Sequence, residues 1–480
     1  SLYVNGKLAT RARYPDEKYL RVKKAGKDKR TNFYFNKHDI PEMDNSDGIE
    51  LILLHDWSVT RIPVKSIDQK AKQLFTVDSI GSRLAFFTLT HWEEHPRYYL
   101  ENALTFCDQP GEWYADFDQR KIYYRPLPGD ILKETIGIIP LAERLIVIEG
   151  TEETHASHIS FEGITFEHTA WPIPETGYCG IQACMFTDRT SQKSSWSRVP
   201  AAIELDRADH CSFDGCTIRH TGGSGIWIRE NCSGNEINKS VIHGISGNGV
   251  NIGEGNDRLA GGGPWWRSSP EEVSRNNRIS HCLIEQCGLQ FYGAVGIWRG
   301  LVANTVIEYN EIRDMPYTRI SMGGMWTPEP TPCRENSIHA NHIHHILNIL
   351  SDGGGIYSLG LQPGSRITRT LIHDVKVNAG RAESNGMFLD EGTKELLVED
   401  NIIYNIARSP LRFHKAKEPN MVRKNVLVCG EDIPPIRYNN TREEDIKKVE
   451  NIILSQSSSS DMNQLDALVK DWLLESKKNL

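Results

Sequence analysis

The sequence predicts an all-β protein: a right-handed parallel β-helix with an N-terminal β-sandwich-like module. Three observations carry this expectation. CTIRH (216–220), SVIHG (240–244), CLIEQ (282–286), NEIRD (310–314), NHIHH (341–345), TLIHD (370–374) and NIIYN (401–405) each have Ile at their centre, mostly at steps of 24–31 residues. That is the period of a solenoid. A second strip keeps step with the first, as GIWI (225–228), GVNI (249–252), GIW (296–298), RISM (319–322), GIYS (355–358), GMFL (386–389) and PLRF (410–413). The units are also rich in Gly, Asn and β-branched residues, which suits short strands and disfavours helical repeats, and the LxxLxL pattern of leucine-rich repeats is missing.

Residues 1–145 read as the β-sandwich-like module. GIELILLHDWSVTRIPV and KQLFTVDSI alternate with period two, and YLENALTFCDQPGEWYADFDQRKIYYRPLPGD reads as a helical turn, a loop and a hairpin. Residues 146–455 read as the solenoid, interrupted by a loop-like insertion, GEGNDRLAGGGPWWRSSPEEVSR (253–275). Residues 456–480 read as a helical cap or tail, because DMNQLDALVKDWLLESKKNL spaces Leu and Val helically.

A formal charge of −8 argues against a partner that is nucleic acid. No run of about 18 apolar residues occurs, so no membrane span is expected. SLYVNGKLATRARYP lacks the apolar core of a signal peptide. The ten cysteines are scattered, without a CxxC pair, and read as small buried hydrophobes.

Strand side chains alternate between faces. With Ile226, Val250, Ile297, Ile320, Ile356, Met387 and Leu411 turned inward, the outward column reads Trp227, Asn251, Trp298, Ser321, Tyr357, Phe388, Arg412. Two positions on, it reads Arg229, Gly253, Gly300, Gly323, Leu359, Asp390, His414. Four aromatic residues in seven outward positions suggest a platform for pyranose rings, unless another part of the chain covers them. The parallel glycines leave room for a ligand. Trp265, Trp266 and Trp326 are expected to wall a cleft.

The acids point to chemistry. Glycoside hydrolysis needs two carboxyl groups across the scissile bond, and Asp352 and Asp390 stand on neighbouring coils, with Glu391 competing with Asp390. Two carboxylates held together raise the pKa of one, as a general acid requires. Acids beside glycine also cap turns, which is the plainer alternative. Glu254 is a weaker candidate. His220, His243, His339, His342, His344, His345 and His373 read as turn residues rather than metal ligands. No strip gathers the Asp cluster of a calcium-dependent lyase, so neither metal nor cofactor is expected.

LYVNGKLATRARYP (2–15), YYLENALTFCDQPGEWYADFDQRKIYYRPLPGD (98–130), VIEYNEIRDMPYTRISMG (306–323), SDGGGIYSLGLQPGSRITRTLIHDV (351–375) and GMFLDEGTKELLVEDNIIYNI (386–406) resemble glycoside hydrolase family 141, and more distantly family 120. The resemblance implies a β-helix with an attached β-sandwich, acting on plant or algal polysaccharides or derived oligosaccharides. It implies a secreted or periplasmic protein, and a catalytic pair matching Asp352 and Asp390. Two departures stand out. Relatives begin with further β-helix coils, so the solenoid is expected to lack a cap or to be completed by residues outside this chain. Arg319 replaces a small residue and would either select an acidic sugar or block the cleft. Substrate contacts are expected from Trp227, Trp298, Arg319, Trp326, Tyr357, Arg412 and His414. A polysaccharide lyase and a non-catalytic carbohydrate-binding protein remain the alternatives, and the oligomeric state is left open.

Overall fold

The computed structural model describes residues 1–43, 46–82, 84, 86–189, 196–376 and 382–478. Among them the solenoid runs as three parallel sheets of ten strands, each sheet in sequence order. The first sheet begins at Ile146–Glu149 and Ala201–Asp206 and ends with Gly353–Ser358, Ser384–Leu389, Leu411–His414 and Ile436–Asn439. The Ile-centred segments form the third sheet: Ile218, Ile242, Ile284, Ile312, Ile343, Ile372 and Ile403 stand in one register column and are fully buried. Stacked branched side chains along the axis are therefore the core of this unit, as the repeat predicts.

The turn from the second sheet to the third explains the recurrent Asn. Its first residue takes a left-handed conformation in coil after coil, as at Tyr309 (φ 54°), Ala340 (50°), Asp400 (55°) and Lys424 (55°). The next residue is commonly a buried Asn that bonds the one a coil away, Asn310 to Asn341 at 2.9 Å and Asn401 to Asn425 at 2.8 Å. These bonds offset the backbone strain of φ > 0 in non-glycine residues. Asn401 also accepts from the Thr370 N–H (2.9 Å) and donates to the Ile367 carbonyl (3.1 Å). Asn401→Ala leaves these groups buried without partners and is expected to lower the stability of this unit by about 2–4 kcal/mol, read from chemical denaturation followed by circular dichroism.

The chain divides into two compact units, Ser1–Ala142 with His168–Val199, and Glu143–Glu167 with Pro200–Leu480. This differs from the single boundary expected at 145–146. The reason is local: Tyr178–Cys179 pairs antiparallel with Val59–Asp68, adding a strand to the first unit's sheet. That sheet runs Arg13–Tyr14, Arg97–Glu101, Glu50–Leu54, Val59–Asp68, Gln73–Thr76, Asn32–Tyr34 and Lys24–Ala25, with Phe33, Leu51, Leu53, Ile62, Tyr98 and Leu100 in its core. The expected turn and hairpin are present at Leu104–Phe106 and at Glu112–Asp116 with Lys121–Tyr124.

His55 of this unit is buried, its Nε2 3.1 Å from Thr60 Oγ1 and its ring 4.9 Å from that of Phe87. Burial lowers its pKa from 6.5 to about 3. The unfolded chain therefore binds a proton below pH 6.5 that the folded unit refuses down to about 3, so stability falls as pH drops through this window, by roughly 1.4 kcal/mol per unit at most. Urea unfolding at pH 7 and pH 5 is expected to show the loss, and His55→Gln to flatten it.

Of the two expected forms, cap or tail, the C-terminal helix, Ser459–Lys478, is not a cap over the solenoid end. It buries Leu465 and Trp472 against Leu371, Ile402, Val426, Val428 and Leu454 on the outer face of the third sheet. Ile453, in the inward column of the last coil, stays 50% exposed. A helix with one apolar stripe gains more from a row of outward aliphatic side chains than from a narrow open end.

Candidate functional site

The outward column read from the sequence is the register observed: Trp227, Asn251, Trp298, Ser321, Tyr357, Phe388 and Arg412 align on successive first-sheet strands. Their environment differs from a sugar platform. Trp227 is 8% exposed, Trp298 3%, Tyr357 2% and Phe388 2%. Tyr357 and Phe388 cluster with Leu359, rings edge to face at 5.3 Å. Trp227 Nε1 donates to the Gly253 carbonyl at 2.9 Å. Tyr357 and Phe388, on adjacent coils, bury one another, and none of the four rings offers its face to solvent.

The glycines beside this column are not ligand space either. A Cβ at Gly300 would stand 2.2 Å from the Glu254 carbonyl, and one at Gly323 (φ 111°) 2.4 Å from that of Leu359. The chain itself fills the room.

At the end of the eighth first-sheet strand the polar groups converge. Asp390 is 8% exposed, and both its oxygens are engaged: Tyr357 Oη donates to Oδ2 at 2.5 Å, and His414 Nδ1 lies 2.7 Å from Oδ1. Burial, and then the charge of Asp390, push the Tyr357 phenol well above its usual value of 10, with Asp352 adding to the shift. The phenol thus stays a proton donor to Asp390. Asp352 (φ 57°) heads the preceding strand, and its Oδ1 pairs with Arg412 Nη1 at 3.0 Å. The Arg412 guanidinium lies 4.1 Å over the Phe388 ring and donates from Nε to Asn439 at 3.0 Å. Tyr317 Oη anchors the Asp352 carbonyl at 3.0 Å.

Asp352 precedes Gly353, which aligns with Ser384, whereas Asp390 follows Leu389. Asp352 thus precedes its strand and Asp390 follows its own; Arg412 engages the first and Tyr357 the second, and both carboxylates act on the Tyr357 phenol. The carboxyl brought near Asp390 is that of Glu391. One ligating atom each from Asp390, Glu391 and His414 lies within 4.8 Å of the others, a group able to hold a metal ion. Glu391 is itself paired with Lys415 at 2.7 Å.

Other expected residues fall elsewhere. Arg319 is fully buried and donates to the backbone carbonyls of Tyr317, His344 and His345. Its guanidinium is used by turns of its own solenoid, so it neither blocks a cleft nor faces a sugar. Trp265 and Trp266 are the core of the insertion, with Val273, Leu301 and Met325. Trp326 remains 38% exposed, on a loop whose Thr327 backbone packs against Gly392 (φ 78°), two residues past Asp390. Glu254 is held by Arg258 at 3.0 Å and raised by burial to about 7, but it lies four coils before Asp390. Tyr317 and Asn439 escaped the sequence reading. Asn439 was open to it, since it aligns with His414 one coil on.

Residues 1–127 match the model of the GH141 insertion domain, and residues 201–428 that of the right-handed beta helix region. No curated protein matches. A solved structure described as a glycoside hydrolase is similar over 97% of this chain and 78% of its own, at 25% identity and a TM-score of 0.75. XylC in complex with xylose matches 95% of this chain and 76% of its own, at 11% identity and TM-score 0.46. PfbA, a surface adhesin of Streptococcus pneumoniae, matches 66% and 75%, at 12% identity and TM-score 0.39. The resemblance to glycoside hydrolase family 141 read from the segments is thus matched by the insertion-domain model over residues 1–127, and the fold comparison adds a similar structure described as a glycoside hydrolase. No described helix is long and apolar enough to cross a membrane.

Proposed function

We propose that this chain hydrolyses a glycosidic linkage in a plant or algal polysaccharide or a derived oligosaccharide. The observation that carries this reading is the buried Asp390, aligned on both oxygens by Tyr357 and His414, in a β-helix that resembles glycoside hydrolase family 141. A carboxylate fixed in this way has the posture of a nucleophile or base. Asp352, with its side chain 25% exposed, is the proposed proton donor on the far side of the bond. Arg412 must release it for that step.

Trp326 is the aromatic residue available for stacking on a sugar face. Trp326→Ala is expected to raise KM about five- to twenty-fold with little change in kcat, since it removes about 1–2 kcal/mol of uniform binding. Steady-state kinetics on a short oligosaccharide checks it.

Reducing-sugar release from a panel of plant and algal glycans tests the function itself. Release that vanishes in Asp390→Asn supports a hydrolase and names the substrate class. An unsaturated product would make the chain a lyase, and binding without turnover would make it a carbohydrate-binding protein.

A further inference from the structure

The outer face of the third sheet carries a side-chain set that the proposed hydrolysis does not use. Ile343 points inward and is fully buried, so alternation turns His342 and His344 outward together within one strand, His342–Ile346. The register sets Glu311 beside His342 on the preceding coil and His373 beside His344 on the following one. His344 Nε2 lies 3.2 Å from Glu311 Oε1, and His342 Nε2 lies 2.8 Å from His373 Nε2. One ligating atom each from Glu311, His342 and His344 lies within 4.8 Å of the other two. A cavity of about 270 Å³ adjoins them, lined by Glu311, His342, Tyr309 and Trp472. Trp472 belongs to the C-terminal helix, its ring 5.8 Å from that of His342.

Stacked rings alone do not account for this. Elsewhere the solenoid stacks Phe161 on Phe213, 5.0 Å apart, and His158 on His210, 5.2 Å apart. Here imidazole nitrogens converge on a carboxylate. Arg313 also reaches Glu311, at 3.4 Å, but its nearer partner is Glu285 at 2.9 Å.

We infer that Glu311, His342 and His344 form a transition-metal site of zinc type, with His373 as an adjoining nitrogen donor. Imidazole with one carboxylate is a donor set for Zn²⁺, whereas Ca²⁺ and Mg²⁺ take oxygen ligands. Donors around a tetrahedral zinc stand roughly 3.3 Å apart, so side-chain rotations of about an ångström bring the three into range. The Glu311 side chain is 42% exposed, which leaves an ion a way in. The ion would tie together neighbouring coils beneath the C-terminal helix. These histidines lie within a strand and not, as the sequence suggested, at turns.

The test is calorimetric titration of Zn²⁺ into the metal-free full chain. Wild type, Glu311→Gln and His342→Gln/His344→Gln are compared, so that ions bound at Asp390, Glu391 and His414 cancel. Wild type is expected to bind one equivalent more than the double variant. Glu311→Gln should bind that ion at least about tenfold more weakly, the scale on which even outer partners of a metal act. Equal stoichiometry and affinity in all three would overturn the site. If the double variant does not fold, Co²⁺ spectra of wild type and Glu311→Gln decide. Intense tetrahedral bands that weaken in the variant support the site, and identical spectra overturn it.

Discussion

Replacing Asp390 by Asn is expected to lower turnover by about a thousandfold or more, the upper part of the range for loss of a positioned acid–base group, while the fold stays intact. Asn is isosteric and still accepts from Tyr357, so circular dichroism and melting temperature should match wild type. Tyr357→Phe separates orientation from charge. It removes one donor to Asp390 and should cost about tenfold to a hundredfold in kcat, at the scale of one hydrogen bond to a charged group. Near-full turnover in Asp390→Asn would sink the assignment of this carboxylate.

Asp352→Asn is expected to lose about a hundredfold or more in kcat/KM on unactivated glycans, and less on substrates whose leaving group needs no proton. Glu391→Gln should lose far less, because Glu391 is engaged by Lys415 and shares its turn with Asp390, so it is poorly set to act across a bond. Proton NMR of the first-formed anomer adds an independent check: inversion marks the wider arrangement of the two carboxyls and retention the close one. A larger loss in Glu391→Gln than in Asp352→Asn would move the second carboxyl from Asp352 to Glu391.

The outward column from Trp227 to Arg412, and the neighbouring of Asp390 with His414, were legible because both follow from two local regularities. These are the two-residue period of a strand and the 24–31-residue period of a coil. Neither reports what lies on top of a column. Hence the burial of Trp298, Tyr357 and Phe388, and the inward use of Arg319, were out of reach of the sequence reading. The conflict between Asp352 and Glu391 as partner of Asp390 is of the same kind. The alignment of Ile356 with Met387 already sets Gly353 opposite Ser384, but it does not report that Arg412 engages Asp352 and Lys415 engages Glu391.

By itself, then, the sequence determined the solenoid, its core of stacked isoleucines and the strip on which Asp390 and His414 meet, because repetition turns local pattern into long-range register. Only the tertiary structure decided that residues 168–199 return to the first unit and that the C-terminal helix lies along the third sheet. Those outcomes rest on contacts between segments that share no period, where burial of available apolar surface, rather than strand alternation, selects the partner.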